Sequence, residues 1–381
     1  MDLLPATSND STQPMFITRK VGIEFCFTNA GAPLKNRAVQ YVYTQMVMLI
    51  HKGSFFRLVG GIASCALFLT VAVWGSNNSY GANSVPPGPT LVQLVSYASA
   101  SSHLTRGPNV LTSIPPLVQA ASNIPNFLPA KCYSTSTTTV QSMPSNAATA
   151  CAFGDTNASQ TILLFGDSQA AMWVPALNIA GEILHWKIVF VAKVGCGPWI
   201  DPANEGITAC NQWVKGEIAL ANQLKPQVVL PVGLTTGWRN NRYPTRVQFD
   251  NEIKSMVKAL TPSRAKVLFF DEIPQYYSSL TSATPATCLT VHSSSIQSCE
   301  LTIKQVMSIW TTKALNVVAD ADHLSIVPVR QFFCGKTRCD LFVNAPNGSH
   351  LIYSDWAHMN ADYSAWIGPA TAKLLARYLP G

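Results

Sequence analysis

Apolar and polar positions divide the chain into unequal parts. From residue 161 onward, continuous β-branched runs alternate with longer stretches whose apolar residues recur every three or four positions. The runs are TILLFG (161–166), WKIVFVAK (186–193), QVVLPVG (227–233), KVLFFDE (266–272) and LNVVADA (315–321). Unbroken apolar runs of this kind mark strands covered on both faces. The stretches at 168–185, 211–225, 246–260 and 300–314 carry helix formers, and a last helix over 361–379 closes the chain despite Gly368 and Pro369. Strands alternating with helices predict an α/β fold around a five-stranded parallel sheet, with helices on both faces and right-handed crossovers.

The region before 161 has a different pattern. Residues 58–75, LVGGIASCALFLTVAVWG, are almost wholly apolar or small, and no Asp, Glu, Lys or Arg occurs between Leu58 and Thr105. About 18 residues at roughly 1.5 Å each just span a hydrocarbon core of about 30 Å. Arg19, Lys20, Lys35, Arg37, Lys52 and Arg57 precede this run, and the uncharged SNNSYGANSVPPGP follows it. That asymmetry places the long C-terminal part outside the membrane. The run reads as a single-pass transmembrane anchor, or as the core of a signal peptide if translation starts at Met46 or Met48. Either way the remainder is exported, anchored in one case and secreted after cleavage near residue 82 in the other. The expected organisation is a short cytoplasmic or pre-start segment (1–57), the anchor or signal core (58–75), a linker (76–124) and one folded domain (125–381).

Composition refines this picture. The chain has 381 residues and a net charge of +7, but charged residues make up only 12% and form no dense basic block. A nucleic-acid groove is therefore not expected. Of ten cysteines, Cys26 and Cys65 lie before or within the apolar run. The other eight fall as sequence neighbours, so the simplest of their 105 pairings joins Cys132 with Cys151, Cys196 with Cys210, Cys288 with Cys299, and Cys334 with Cys339. Disulfides suit an exported domain. No Cys-x-x-Cys and no His pair at zinc spacing is present, so a metal site is not expected.

Candidate chemistry begins where the first strand ends. Gly166-Asp167-Ser168 puts a serine at the start of a helix, where unpaired N–H groups and the positive end of the dipole can meet an oxyanion. A serine nucleophile needs a base. His51, His103, His185 and His292 are poorly placed for that role. His323, beside Asp320 and Asp322, is the rival to His358, which follows Asp355 by three residues in LIYSDWAHMN. Asp-x-x-His allows the carboxylate to hold the imidazole's tautomer and stabilise its protonated form. A cap and a surface turn would account for the same spacing.

Gly166-Asp167-Ser168 together with Asp355-x-x-His358 resembles the SGNH (GDSL-like) hydrolases. CAFGDTNASQTILLFGDSQAAMWVPAL, VAKVGCGP, the Cys196 to Cys210 spacing followed by Trp213, FFCGKTRCDLFVN and LIYSDWAHMNADYSAWIGPAT narrow the likeness. Together they resemble the extracytoplasmic SGNH domain of bacterial family 3 membrane acyltransferases, over roughly residues 125–380. The resemblance implies a three-layer flavodoxin-like SGNH fold. It also implies a serine O-acyltransferase or O-acyl esterase, acetyl being the expected group, acting on cell-surface glycan. Ser168, His358 and Asp355 would form the triad, and the N–H groups of Ser168 and Gly195 the oxyanion hole. The serine chemistry that the resemblance implies needs no metal or organic cofactor. GLTTGWRN departs from the family's Gly-x-Asn by placing Thr235 where Asn stands, leaving Thr235, Trp238 or Asn240 as candidate side-chain donors. Gln169 stands where that group often has His. With one apolar segment in place of a helix bundle, a transferase would take its acyl group from a separate membrane acyl-donor protein. A catalytically silent module that binds glycan or a partner is the alternative. Trp173, Trp199, Trp213, Trp238 and Trp356 stand near motif ends, as core packing or as sugar-flanking faces.

Overall fold

The computed structural model describes residues 88–109, 112–136, 138–199, 208–233, 246–271, 273–276, 284–306 and 324–380. The expected segments 1–57 and 58–75, the strand at 315–321, His51, His323, Thr235, Trp238 and Asn240 lie outside these residues. Among the described residues, no helix is long and apolar enough to cross a membrane.

The strands are β1 (Ser113–Ile114), β2 (Tyr133–Ser134), β3 (Ala152–Gly154), β4 (Thr161–Gly166), β5 (Lys187–Lys193), β6 (Val228–Val232), β7 (Lys266–Phe270), β8 (Leu301–Thr302), β9 (Leu324–Val327), β10 (Arg338–Cys339), β11 (Phe342–Ala345) and β12 (Gly348–Leu351). Among the helices are α1 (Leu91–Ser101), α2 (Ser168–Leu184), α3 (Thr208–Leu224), α4 (Arg246–Leu260), α5 (Ala361–Trp366) and α6 (Gly368–Leu375).

The central sheet runs β2-β5-β4-β6-β7-β9, with β3 also paired to β5. Its five longer parallel strands, β5-β4-β6-β7-β9, follow the flavodoxin-like order 2-1-3-4-5. The sheet is thus wider than the expected five strands. β2 pairs in parallel with the second half of β5 and β3 antiparallel with its first half, at Ala192–Lys193 and at Lys187–Val189 respectively. Both additions come from the Ser/Thr/Pro-rich stretch before 161. They are too short for periodicity to reveal, and the Cys132–Cys151 bridge ties them together. At the far edge, Leu324–Val327 pairs with β7 in parallel.

The buried strands are apolar because both faces are covered. Ile162, Leu163, Leu164 and Phe165 of β4 and Val228, Val229 and Leu230 of β6 are buried. α2 packs on β4 and β5, and α5 and α6 pack in turn on α2. The predicted final helix is broken at Ile367. Gly368 begins α6 with Pro369 in its first turn, where the missing N–H costs nothing. A Cβ at Gly368 would come within 2.6 Å of Ile179 Cβ, so the break lets α6 approach α2 closely.

Two further expectations change. The stretch 76–124 was expected to be a linker, yet its described part packs on the domain. α1 buries Leu91, Leu94 and Ala98 against β11 and α6, and starts with a Thr90–Gln93 capping box. The helix expected over 300–314 starts later within the described residues. Leu301–Thr302 pairs antiparallel with β10, and Thr302 meets Gln305 in a capping contact before a helical turn at Ile303–Val306. All eight cysteines are joined as sequence neighbours, closing separations of 19, 14, 11 and 5 residues.

Candidate active site

Gly166 ends β4 in register between Ala192 of β5 and Val232 of β6, at the carboxyl edge where the strand order reverses. Ligands of open α/β sheets bind at this point. Its φ is +142°, and a Cβ there would collide with the Val232 carbonyl oxygen, so only glycine fits. Asp167 follows as the N-cap of α2, its carboxylate accepting the Gln169 N–H at 2.7 Å. Ser168 is therefore the first residue of the helix, and its side chain stands at the edge of the sheet.

The second half of the site lies beyond β12. An antiparallel bridge between Tyr353 and Met359 closes a loop, and Ser354 N–H donates to the His358 carbonyl at 3.0 Å. Inside it, Asp355 Oδ1 accepts the N–H groups of Ala357 and His358, each at 2.8 Å. Asp355 Oδ2 meets His358 Nδ1 at 2.8 Å, and His358 Nε2 meets Ser168 Oγ at 2.7 Å. A carboxylate only accepts, so Nδ1 carries the proton and Nε2 of the neutral ring is free to accept from the serine hydroxyl. The carboxylate, imidazole and hydroxyl thus form one continuous relay.

Two contacts hold the loop on α2. The buried Gln169 side chain donates its Nε2 hydrogen to the Ala357 carbonyl at 3.0 Å, and Met359 N–H points at Met172 Sδ at 3.1 Å. Trp356 O accepts the Tyr276 N–H at 2.7 Å from the side of β7.

Burial alone would push the Asp355 carboxyl up. The hydrogen bond and charge of His358 and the two backbone N–H donors outweigh it and hold Asp355 below the ordinary carboxylate range. Burial likewise opposes the charged form of His358, but the Asp355 hydrogen bond and charge, with the Asp167 carboxylate, raise it above the ordinary imidazole value.

Gly195 lies in the turn after β5 with φ +67°. Gly233, after β6, sits against the Gly197–Trp199 turn, and a Cβ there would run into the Pro198 ring. The turns after β5 and β6 are thereby packed together beside the turn after β4. Below the Gly166–Ser168 turn, Glu217 of α3 is fully buried and accepts from Gly166 N–H at 3.1 Å and Trp213 Nε1–H at 2.8 Å. Burial drives its carboxyl well above the ordinary range. The two hydrogen bonds act against that shift, and the Asp167 charge adds to it.

A family profile described as "SGNH domain (fused to AT3 domains)" matches residues 131–373. The chain belongs to the SGNH family. As an SGNH protein it is a hydrolase or acyltransferase of that type. Similar solved structures include the periplasmic domain of a lipopolysaccharide acetyltransferase from Salmonella serovar Paratyphi A, at 14% identity over 64% of this chain and 91% of that one, TM-score 0.46. Others are a GDSL-like lipase from Bacteroides thetaiotaomicron, at 12% identity over 58% and 89%, TM-score 0.33, and a putative acylhydrolase from Bacteroides fragilis, at 11% over 61% and 94%, TM-score 0.35. No curated protein matches the chain.

The remaining histidines and tryptophans of this SGNH chain sort by environment. His185 caps the end of α2 in a left-handed conformation. His103 and His292 are exposed. His350 is buried, stacked on Trp366 at 3.8 Å with Asn347 as its polar partner. Trp173, Trp199 and Trp213 are buried in the core, whereas Trp356 is half-buried beside Asp355. Among the described residues, no group of three or more His, Cys, Asp or Glu could hold a metal ion.

The sequence reading missed Gln169 as a tie to the histidine loop, and Glu217. A signal for Glu217 was present: it falls four residues after Trp213, on the stripe that also carries Val214, Ile218 and Ala221. An acid on the buried face of a helix needs a reason.

Proposed function

We propose that this SGNH protein is an extracytoplasmic serine O-acyltransferase or O-acyl esterase acting on cell-surface glycan, either an acylated glycan or a sugar acceptor, with acetyl as the transferred group. Ser168 is the nucleophile, His358 the base and Asp355 its orienting partner. The observation that carries this reading is the unbroken relay from Asp355 through His358 to Ser168, at 2.8 and 2.7 Å.

His358 Nε2 takes the Ser168 hydroxyl proton as Oγ attacks the ester carbonyl, and the imidazolium is stabilised by Asp355. The N–H groups of Ser168, at a helix start, and of Gly195 receive the oxyanion. Collapse expels the alcohol, which takes the proton from His358 and leaves an acyl-serine. Water or a sugar hydroxyl then gives a proton to His358 as it attacks the acyl carbon, and collapse breaks the acyl–Oγ bond, the His358 proton passing to Ser168 Oγ. A third oxyanion donor would come from Thr235, Trp238 or Asn240. With a sugar acceptor, the acyl group is delivered by a separate membrane acyl-donor protein, consistent with a family named for its fusion to AT3 domains. The four disulfides and the apolar 58–75 run support an exported domain held by a single-pass anchor, or secreted if the run is cleaved.

The test is acetate release from p-nitrophenyl acetate by the purified protein and by Ser168→Ala, with and without an oligosaccharide acceptor. Release that depends on Ser168 is expected, and equal release by both proteins overturns the reading. Acetylated oligosaccharide among the products identifies a transferase, and acetate alone an esterase.

A further inference from the structure

Glu217 is a buried acid that the proposed reaction does not use. It lies on the face of α3 turned into the sheet, fully buried. Oε1 takes both available donors, Gly166 N–H and Trp213 Nε1–H, while Oε2 is buried without a hydrogen-bond partner. Lys193, at the end of β5, stands 5.8 Å over the Trp213 ring, but its ammonium donates to Ser134 Oγ at 3.0 Å and Thr139 O at 2.8 Å. Asp167, one residue before Ser168, is near enough for its charge to act on Glu217, and Tyr133 of β2 in turn feels Asp167.

We infer that Glu217 is a positioning residue for Ser168, whose Oε1 captures the Gly166 N–H and thereby fixes the peptide from which the nucleophile turn departs. This inference rests on the serine reading above. Gly166 cannot be held by a side chain of its own, and its positive φ leaves the turn dependent on what its backbone bonds to. A leucine at 217 would fill the space but orphan two buried N–H groups. An ionised carboxylate would place negative charge beside Asp167 and below the site where an oxyanion must form against Ser168 N–H. A neutral acid accepts both hydrogen bonds and adds no charge.

The deciding quantity is the first-order rate constant for phosphonylation of Ser168 at saturating fluorophosphonate. It reports each folded molecule and is not moved by a loss of stability alone. Glu217→Leu is expected to slow it by about 10²-fold, the scale of a displaced catalytic group. Glu217→Gln, which keeps an oxygen for both donors, is expected to restore most of the rate. Glu217→Leu labelled at the wild-type rate, with only a lower Tm, overturns the inference. Should Glu217→Leu not fold, Glu217→Met, which likewise offers Gly166 N–H no oxygen acceptor, decides by the same rate: slower labelling supports the role, and wild-type labelling overturns it. Wild type that is itself unlabelled, with hydrolysis indifferent to Ser168→Ala, overturns this inference and the serine reading together. A labelled wild type matched by its variants overturns this inference alone.

Discussion

His350 and His358 bracket one short segment after β11, and the fold treats them in opposite ways. His350, within β12, lies face to face with the Trp366 ring, bonded through Nε2 to the neutral Asn347 side chain, with Nδ1 buried and unpartnered. Burial pushes its pKa down to about 4. His358, on the loop that follows, is also well covered, but Asp355 faces its Nδ1 and its pKa goes up instead. Burial is common to both, so the carboxylate makes the difference. An imidazole against an aromatic ring is a neutral core residue, and the same ring against an aspartate is a base able to hold a proton.

The largest expected effect comes from removing the proposed base. His358→Ala should lower p-nitrophenyl acetate hydrolysis by on the order of 10⁴-fold or more, whereas His350→Phe should keep the hydrolysis rate per folded molecule and alter Tm. Equal losses in the two variants would erase the distinction. Next, Asp355→Asn gives His358 a neutral partner like that of His350, and should lower kcat by about 10²- to 10⁴-fold with KM little changed. A kcat within a few-fold of wild type would mean that the carboxylate is not what separates the two rings.

pH sharpens the comparison further. Because His358 must be neutral to accept the serine proton, kcat/KM should fall as pH drops through an apparent pKa above the usual imidazole value, by about tenfold per unit below it. A midpoint at or below about 6.5 would contradict the Asp355 pairing. For stability, the two rings have opposite signs. His350 has a depressed folded pKa, so its contribution is full above the ordinary imidazole value and is lost as pH falls toward about 4. His358 has a raised folded pKa, so its ion pair contributes below the ordinary value and is lost as pH rises through the folded one. Thermal unfolding of His350→Phe should therefore show a weaker acid destabilisation than wild type.

The smallest effect is expected at Gln169, which touches neither substrate nor the reacting atoms. Gln169→Ala removes the hydrogen bond to the Ala357 carbonyl that ties the histidine loop to α2. A neutral hydrogen bond contributes about 0.5–1.5 kcal/mol, so kcat should fall by roughly tenfold or less, with the pH midpoint unchanged. A loss as large as that of Asp355→Asn would make Gln169 part of the chemistry.

Much of this was legible in the chain. The continuous runs of β4 to β7 appear as strands because both faces of each are covered, so no alternation hides them. The Asp167 cap and the Asp355-x-x-His358 spacing act over a few residues, and local geometry of that kind is written in local sequence. The disulfides closed between sequence neighbours for the same reason of short range. β2 and β3 were not legible, since each is only two or three residues long and depends on the outer edge of β5 for its bonds. α1 was hidden by a Ser- and Ala-rich composition that reads as linker, although its Thr90–Gln93 capping box was there to be read.

The sequence by itself determined the parallel α/β architecture, the glycine turn that presents Ser168, and the Asp355–His358 pair. Those features rest on periodicity and on contacts within a few residues. The sequence also pointed to His358 as the serine's partner, but only the tertiary structure brought the two together across 190 residues, Nε2 against Oγ at 2.7 Å. The tertiary structure alone also showed that Glu217 lies beneath Gly166 and that Gln169 reaches Ala357, contacts spanning 51 and 188 residues. Contacts of that range are fixed by strand order and helix packing, and no local pattern encodes them.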